Sequence, residues 1–258
     1  MNDTPRFGTA GLADSYTVKK FDPAAIAAYT AGFGLTAFEY QCGRGVRLAH
    51  DKAAALGAAC AERNIALSVH APYYISMSSL EEDKRLHSID YLLQSCALVK
   101  ALGGRRVIFH SGSCGKQSRE AALEKALDTM RRAVAALDEA GFGDMTLCPE
   151  TMGKIGQLGT LGGIRTKADY AAILDRMAEV LGDDRARQFH VHFSRIEYSA
   201  GGEKRHWTFA DTQFGPEPQP LMELLAERRL EPVVICESAG TQAEDAQAMQ
   251  RMYEAARG

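Results

Sequence analysis

Five side chains of the kinds that commonly bind metal ions stand where apolar runs of the sequence end: His70, His110, Glu150, His192 and Glu237. Imidazole nitrogens and carboxylate oxygens are accepted as ligands by zinc, manganese and iron, and one carboxylate can bridge two ions. A single histidine at such a position is more often an ordinary polar residue. Burying five such groups together without a cation would be costly, however. The pattern therefore predicts a divalent-metal site, with Glu150 as the bridging ligand.

The elements that must position these residues are short apolar runs that alternate with Ala- and Leu-rich helical patterns. This order predicts βαβ units in a parallel (β/α) barrel of the TIM type, forming one domain over residues 1–258. The expected strands are residues 6–10, 36–41, 66–72, 106–112, 145–150, 189–194 and 232–238. The five polar residues stand at the carboxyl ends of these strands, where the side chains of a parallel barrel converge on its active-site face.

Seven strands are one fewer than a parallel barrel usually has. The missing βα unit is expected after Glu150, around residues 159–163, where the sequence contains no strand-like run. Either the chain has lost a strand and a helix, which would place the fifth strand beside the one that carries His192, or the sequence omits a segment of the full gene product. The sequence leaves both alternatives open.

Composition limits the classes of function. The six cysteines form no CxxC pair, which favours a reducing compartment, and no run of about 18 apolar residues or cleavable leader is visible. We therefore expect a cytoplasmic monomer that does not bind membranes. The formal net charge of −3 gives no overall basic surface for nucleic acid, so any DNA-binding surface must be local.

A local basic surface is predicted at the rim of the barrel. The expected rim loops, residues 42–47, 112–119, 151–167 and 195–211, contain ten basic and three acidic residues. We single out as candidate DNA- or substrate-binding residues Arg195, Lys204, Arg205 and the aromatic Tyr73, Tyr74 and Trp207. Each aromatic residue could equally anchor its loop by packing, and a basic rim would also suit a phosphorylated sugar. Residues 195–211 form a long expected loop, which contains a further histidine, His206, and a carboxylate, Glu203.

Several segments together resemble the endonuclease IV family of apurinic/apyrimidinic endonucleases, within the xylose isomerase-like barrels. These segments are SVHAPYYISMSS, IFHSGS, CPETMG, HVHFSRIEY and ICESAGTQAEDA. The resemblance implies that His70, His110 and Glu150 bind one zinc ion. It also implies that Glu150, His192 and Glu237 hold a second.

Two departures from the family pattern reduce the expected number of metal ions. The family has an Asp and a His on a strand between the positions of Glu150 and His192, and this sequence has no such pair. Lys204 stands where the family has an Asp two residues before the histidine that corresponds to His206. A third zinc would keep His206, with Glu203 as a substitute ligand. We expect two ions, zinc or alternatively manganese.

The reaction that the resemblance implies is hydrolysis of DNA 5′ to an abasic site by a zinc-bound water, a step of DNA repair. Glu150 would bridge the nucleophile, and Glu237 would orient the water. A sugar isomerase or epimerase that uses Glu39, Glu150 and Glu237 around one metal is the alternative, with a phosphorylated small molecule rather than damaged DNA as its partner. A degenerate barrel that binds without catalysis is the third hypothesis.

Overall fold

The structure, a computed structural model, describes residues 4–152 and 164–258. Within these residues, seven parallel strands form one sheet that curves into a nearly closed barrel. They are β1 (Arg6–Ala10), β2 (Ala37–Gln41), β3 (Ala66–His70), β4 (Arg106–His110), β5 (Thr146–Glu150), β6 (His190–Phe193) and β9 (Val233–Cys236). The predicted seven-stranded (β/α) barrel is confirmed.

Among the described residues, β5 and β6 are the two outer strands of the sheet. The strands are ordered β5, β4, β3, β2, β1, β9 and β6, so the described residues contain no pairing between β5 and β6. Direct pairing of these two strands, as expected after loss of a βα unit, is therefore not observed in this part of the chain. Residues 159–163, where the unit was expected to be missing, lie outside the described residues.

Helices cover the outside of the barrel. They are α1 (Pro23–Gly32), α2 (His50–Ala61), α3 (Glu82–Ala101), α4 (Arg119–Glu139), α5 (Lys167–Leu181), α6 (Asp183–Ala186), α7 (Gln219–Glu227) and α8 (Gln242–Arg257). Side-chain caps fix several of the starts: Ser118 accepts from the backbone N–H of Ala121, and Thr166 forms a capping box with Asp169. Among the described helices, none combines the length and the apolar character needed to cross a bilayer.

Alternation along each strand separates the core from the site. On β3 and β4, Val69, Val107 and Phe109 are buried in the apolar cluster that the helices cover. Ser68 and His70 occupy the alternate positions of β3 and therefore face the barrel interior. The hydrophobic layer thus forces the polar residues of the same strands to point inward.

Residues 195–207 form a β-hairpin, so the prediction of a long loop there is wrong. Strands β7 (Arg195–Ser199) and β8 (Gly202–Trp207) pair antiparallel, with Ile196 opposite His206. The N–H of Ile196 also donates to the carbonyl of Gly215 at 2.7 Å, which ties the hairpin to the following segment. The hairpin follows β6 directly and carries His206 back to the mouth of the barrel.

Candidate metal centre

The carboxylate of Glu150 lies at the centre of the mouth of the barrel. Its Oε2 is 3.3 Å from Nε2 of His70 and 3.0 Å from Nε2 of His110. Its Oε1 is 2.8 Å from Nδ1 of His192. The strand register explains the contact between His110 and Glu150, because these two residues are paired directly across β4 and β5. Residues from β3, β4, β5 and β6 therefore converge on one carboxylate.

Glu237 completes the far side of this group. It follows β9 and is held in place by its backbone N–H, which donates to the carbonyl of Phe193 at 2.9 Å. Its Oε1 lies 3.3 Å from Nδ1 of His192, the same nitrogen that contacts Glu150. The two carboxylates thus share one imidazole nitrogen.

Burial and charge perturb the ionisation of these groups. Burial acts to raise the pKa of Glu150, but its hydrogen bonds with His110, His192 and His70 outweigh burial and hold that pKa well below its usual range. Burial acts to lower the pKa of His192, and the charges of Glu237 and Glu39 together with hydrogen bonds raise it well above its ordinary value. In a cation-free protein, the raised pKa values of His70 and His192 favour protons on these two rings, which compensate the charge of the buried carboxylates.

Glu237 behaves differently from Glu150. Burial raises its pKa, and the negative charge of Glu150 adds to the increase, although His192 and His206 oppose it. Of the two carboxylates, Glu237 is consequently the one that more readily holds a proton.

His206 reaches the mouth from the hairpin. Its Nδ1 is 2.9 Å from Oγ of Ser194 and 3.7 Å from Oε2 of Glu237, and its Nε2 is 2.9 Å from Oε1 of Glu203. The hydrogen bond with Glu203 raises the pKa of His206 against the effect of burial. Glu203 is thus placed as the carboxylate partner of His206, while Glu237 lies beyond hydrogen-bond distance.

The residues fit divalent cations by the chemistry of their donors. His70, Glu150 and His192 each offer a ligand atom, and these atoms lie within 4.8 Å of one another. The side chains of these three residues are only 3%, 17% and 7% exposed, so a cation there would compensate carboxylate charge that is largely shielded from water. Mixed histidine and carboxylate sites of this kind suit zinc and related transition metals. The ligand roles of the six predicted residues stay a prediction.

A cavity of about 960 Å³ begins at this cluster and runs down beside the two sheet edges. At the mouth it is lined by Tyr73 and His206, and toward the opposite end by Arg106 and Arg185. A space of this size accommodates a small molecule or an extruded nucleotide residue.

The aromatic candidates Tyr73 and Tyr74 lie in different surroundings. Tyr73 is 55% exposed, and its ring is stacked on that of His110 with centroids 5.4 Å apart. Tyr74 is equally exposed, but its ring lies 6.0 Å from that of Tyr91 on α3, and it does not line the cavity. Of the two, Tyr73 is the one that lines the cavity.

Arg195 and Lys204, two of the candidates on the hairpin, form hydrogen bonds with other residues of the protein. Arg195 is buried, donating to the carbonyl of Phe214 and to Glu217 at 2.6 Å, so its guanidinium does not face the rim as the loop prediction assumed. Lys204 donates to Glu197 at 2.5 Å.

Trp207 lies beside this ion pair. Its Nε1 donates to Glu197 at 3.1 Å, its ring stacks on that of Phe214, and the guanidinium of Arg205 lies 5.0 Å from its centre. Trp207 therefore packs inside the hairpin region and lies outside the cavity lining.

The basic rim is weaker than its composition indicated. Beyond Arg195 and Lys204, Lys167 forms ion pairs with Glu223 and Glu227 of α7 at 3.0 and 2.6 Å. Lys154 lies outside the described residues. Several of the ten basic residues are therefore paired with carboxylates of the protein and are less able to bind phosphate.

Sequence reasoning gave too little weight to Glu39 and His190. The sequence assigned Glu39 only to the alternative isomerase chemistry, and it gave His190 no role in the site. Glu39 is fully buried on β2 and lies 2.9 Å from His190 and 2.9 Å from His192. The signal that could have found Glu39 is a lone carboxylate inside the apolar run TAFEYQ.

Comparison with known sequences identifies a protein family and several relatives of this chain. Residues 27–181, more than half of the chain, match the family described as "Xylose isomerase-like TIM barrel". An uncharacterized protein of Methanocaldococcus jannaschii is 27% identical over 90% of this chain and 91% of its own length. A probable endonuclease 4 of Mycoplasma pneumoniae is 32% identical over 35% of this chain, which corresponds to only 30% of that relative.

Comparison with solved structures finds the same barrel with two different activities. Endonuclease IV from Thermus thermophilus superposes with a TM-score of 0.66 at 20% identity, covering 98% of both chains. A D-tagatose 3-epimerase-like protein superposes with a TM-score of 0.70 at 16% identity, also covering 98% of both chains. At these identities the superpositions establish the fold alone, and the choice between the activities depends on the residues of the site.

Proposed function

The chain belongs to the xylose isomerase-like TIM barrel family, and we propose that it is a metal-dependent phosphodiester hydrolase that cleaves DNA 5′ to abasic sites. One observation carries the proposal: His70, His110 and His192, from three strands, all lie within 3.3 Å of the Glu150 carboxylate. A histidine-rich group around one carboxylate suits a site for more than one cation. The part of the chain that matches endonuclease 4 supports the same activity.

In the proposed site, His70, His110 and Glu150 would hold one zinc ion, and Glu150, His192 and Glu237 a second. When bound, these ions supply Lewis-acid stabilisation of phosphate charge and lower the pKa of water. Manganese could replace zinc with the same ligands. His206 and Glu203 would be two of the ligands that a third ion needs. In the structure these two side chains form a hydrogen bond with each other.

The protein groups have separate tasks in this proposal. Glu150, whose pKa is held low, stays an anion and acts as a ligand. Glu237, whose pKa is raised, would accept a proton at Oε2 from the attacking water. Tyr73, exposed beside His110, would pack against the abasic sugar or the neighbouring base. Arg205 remains the basic hairpin residue best placed for a phosphate.

The test is cleavage of a duplex that contains one abasic site, with zinc-loaded protein and with protein treated with chelator. Zinc-loaded protein is expected to nick the duplex 5′ to the lesion, and chelator is expected to stop nicking until zinc is restored. A duplex of the same sequence without the lesion is the control. Protein that binds zinc and leaves the abasic duplex intact would contradict the proposal.

A sugar epimerase is the second candidate, because one specific observation favours it. Glu150 and Glu237 lie 2.8 and 3.3 Å from the same nitrogen of His192, so two carboxylates face one small space. Such a pair around one metal could remove and return a proton next to a carbonyl. Turnover of a ketose by the metal-loaded protein, without nicking, would select this candidate.

A further inference from the structure

A second buried cluster lies directly beneath the metal-binding candidates, with the carboxylate of Glu39 at its centre. Oε2 of Glu39 accepts from Oγ of Ser68 at 2.9 Å and lies 2.9 Å from Nε2 of His190. Oε1 accepts from Nε2 of Gln41 at 3.0 Å and lies 2.9 Å from Nε2 of His192. Glu39 is fully buried, and its neighbours come from β2, β3 and β6.

His192 joins this cluster to the mouth of the barrel. Its Nδ1 forms a hydrogen bond with Oε1 of Glu150 at 2.8 Å and lies 3.3 Å from Oε1 of Glu237. Its Nε2 lies 2.9 Å from Oε1 of Glu39, without the alignment of a hydrogen bond. A neutral imidazole carries one N–H, and a nitrogen that binds a cation must present a lone pair. When Nδ1 binds a cation, the single hydrogen of His192 must therefore sit on Nε2, where the negative charge of the nearby Glu39 stabilises it.

We infer that Glu39 is a positioning residue, which holds His192 as the Nε2–H tautomer and so presents Nδ1 to a divalent cation together with Glu150 and Glu237. The inference rests on the metal site of the proposed function and does not depend on which reaction occurs there. Ser68, Gln41 and His190 support Glu39, because three polar groups in addition to His192 surround its two oxygens and fix the plane of the carboxylate.

The arrangement exceeds what structural stability alone requires. A carboxylate that is 0% exposed needs partners, and Ser68, Gln41 and His190 already supply three. The fourth contact goes to the ring whose opposite nitrogen faces the metal-binding candidates. Carboxylates in this position orient ligand histidines and typically change metal affinity 10- to 100-fold when they are lost.

The first measurement reads the tautomer directly. Full-length protein labelled with ¹⁵N-histidine and loaded with zinc is examined by long-range ¹H–¹⁵N correlation, with His192→Gln to assign the signal. The expected result is Nε2–H with an unprotonated Nδ1 on His192. The opposite tautomer, or protein that binds no zinc, would overturn the inference.

The second measurement compares Glu39→Gln, which keeps the shape and a weaker acceptor, with Ser68→Ala, which removes one support and leaves the contact between Glu39 and His192. Zinc affinity is measured by competition with a chromophoric chelator, and the coordination environment by the visible spectrum of the cobalt-substituted protein. Glu39→Gln is expected to bind zinc about 10- to 100-fold more weakly and to change the cobalt bands. Ser68→Ala keeps the carboxylate beside His192 and is therefore expected to lose clearly less zinc affinity than Glu39→Gln and to change the cobalt bands less.

Two results would contradict the inference at this stage: a folded Glu39→Gln with wild-type zinc affinity and cobalt spectrum, or equal losses in both variants. If Glu39→Gln does not fold, the wild-type protein still tests the inference, because a hydrogen on Nδ1 of zinc-loaded His192 would overturn it. A failure of the proposed function would look different, because the Nε2–H tautomer and zinc binding would be intact while abasic DNA remained uncut.

Discussion

The mouth of the barrel has two sides that differ in how completely they could surround a cation. On the strand side, formed by His70, His110, Glu150 and His192, every histidine lies within 3.3 Å of one carboxylate. On the hairpin side, formed by Glu203 and His206, the histidine is 3.7 Å from Glu237 and is already bonded to Ser194 and Glu203.

The difference follows from the secondary structure on which each group of side chains stands. On the strand side, β3, β4 and β5 are neighbouring parallel strands whose register is fixed by ladder hydrogen bonds and a buried hydrophobic layer. His192 approaches them from β6, at the other edge of the described sheet. The hairpin side rests on two strands with a register shift between Glu197 and Tyr198, and its histidine side chain is 33% exposed. We therefore expect the strand side to dominate metal binding and activity.

The largest effect is expected from Glu150→Gln. An amide is a poor metal ligand and cannot balance the charge of protonated or metal-bound partners, and three histidines contact this one group. Nicking of abasic DNA should be abolished, and zinc content, measured by atomic emission, should fall by at least one ion per chain. Glu203→Gln on the hairpin side is the matched control. Unchanged activity of Glu150→Gln would exclude Glu150 as the bridging ligand.

The next largest effect is expected on zinc affinity, when one histidine from each side is replaced by alanine. His110→Ala removes a direct neighbour of Glu150, so zinc affinity should fall by more than the roughly 10- to 100-fold typical of an outer partner. His206→Ala should cost less than about tenfold, because His206 makes its nearest contacts with Ser194 and Glu203. Chelator competition on both variants measures the two affinities. Equal losses would show that the two sides are equivalent ligand sets.

A smaller effect concerns pH and the metal-free protein. The pKa values of His70 and His192 are raised in the fold, against the effect of burial, by their carboxylate neighbours. Their contribution to the free energy of unfolding is fully present below the unfolded-state pKa of about 6.5 and is lost as the pH rises through the higher folded-state values.

In chelator, the Tm measured by circular dichroism should therefore fall as the pH rises above about 6.5, by about 2–4 °C for each kcal/mol lost. The increase in Tm on adding zinc should grow over the same range, because zinc binds deprotonated imidazole. A metal-free Tm that rises with pH in this window would contradict the arrangement of charges on the strand side.

The smallest effect is expected from Lys204→Asp, which gives the hairpin side a carboxylate two residues before His206. Lys204 is 58% exposed and forms a surface ion pair with Glu197, whose loss should have little effect on stability. The variant should bind an additional zinc ion weakly, detectable by calorimetry, whereas Lys204→Ala should not. If neither variant binds additional zinc, the hairpin is too far from Glu237 to complete a site.

The sequence allowed the barrel to be predicted because its strands are short apolar runs bounded by polar residues. The bounds of β1 were predicted as observed, and those of β2 and β5 differ by one residue at their starts. The residues that the structure brings together at the mouth could be chosen for the same reason, since the carboxyl ends of parallel strands meet in space.

The hairpin and the buried cluster were not predictable in the same way. Polar side chains dominate β7 and β8, so the turn at Ala200 and Gly201 was not interpreted as joining two strands. The pairing of Arg195 with Glu217, 22 residues away, is set by tertiary structure. The contact of Glu39 with His190 joins residues 151 positions apart, which local patterns do not encode.

The two sheet edges have a consequence for backbone dynamics. In the part of the chain that the structure describes, β5 and β6 each have one ladder of hydrogen bonds, whereas β1, β2 and β3 each have two. Amide hydrogen exchange should therefore be graded around the barrel, slowest at β1 to β3 and fastest at the two edges. Glu150 and His192 stand on those edge strands, so local opening that releases an edge would also separate the central pair of the candidate metal site.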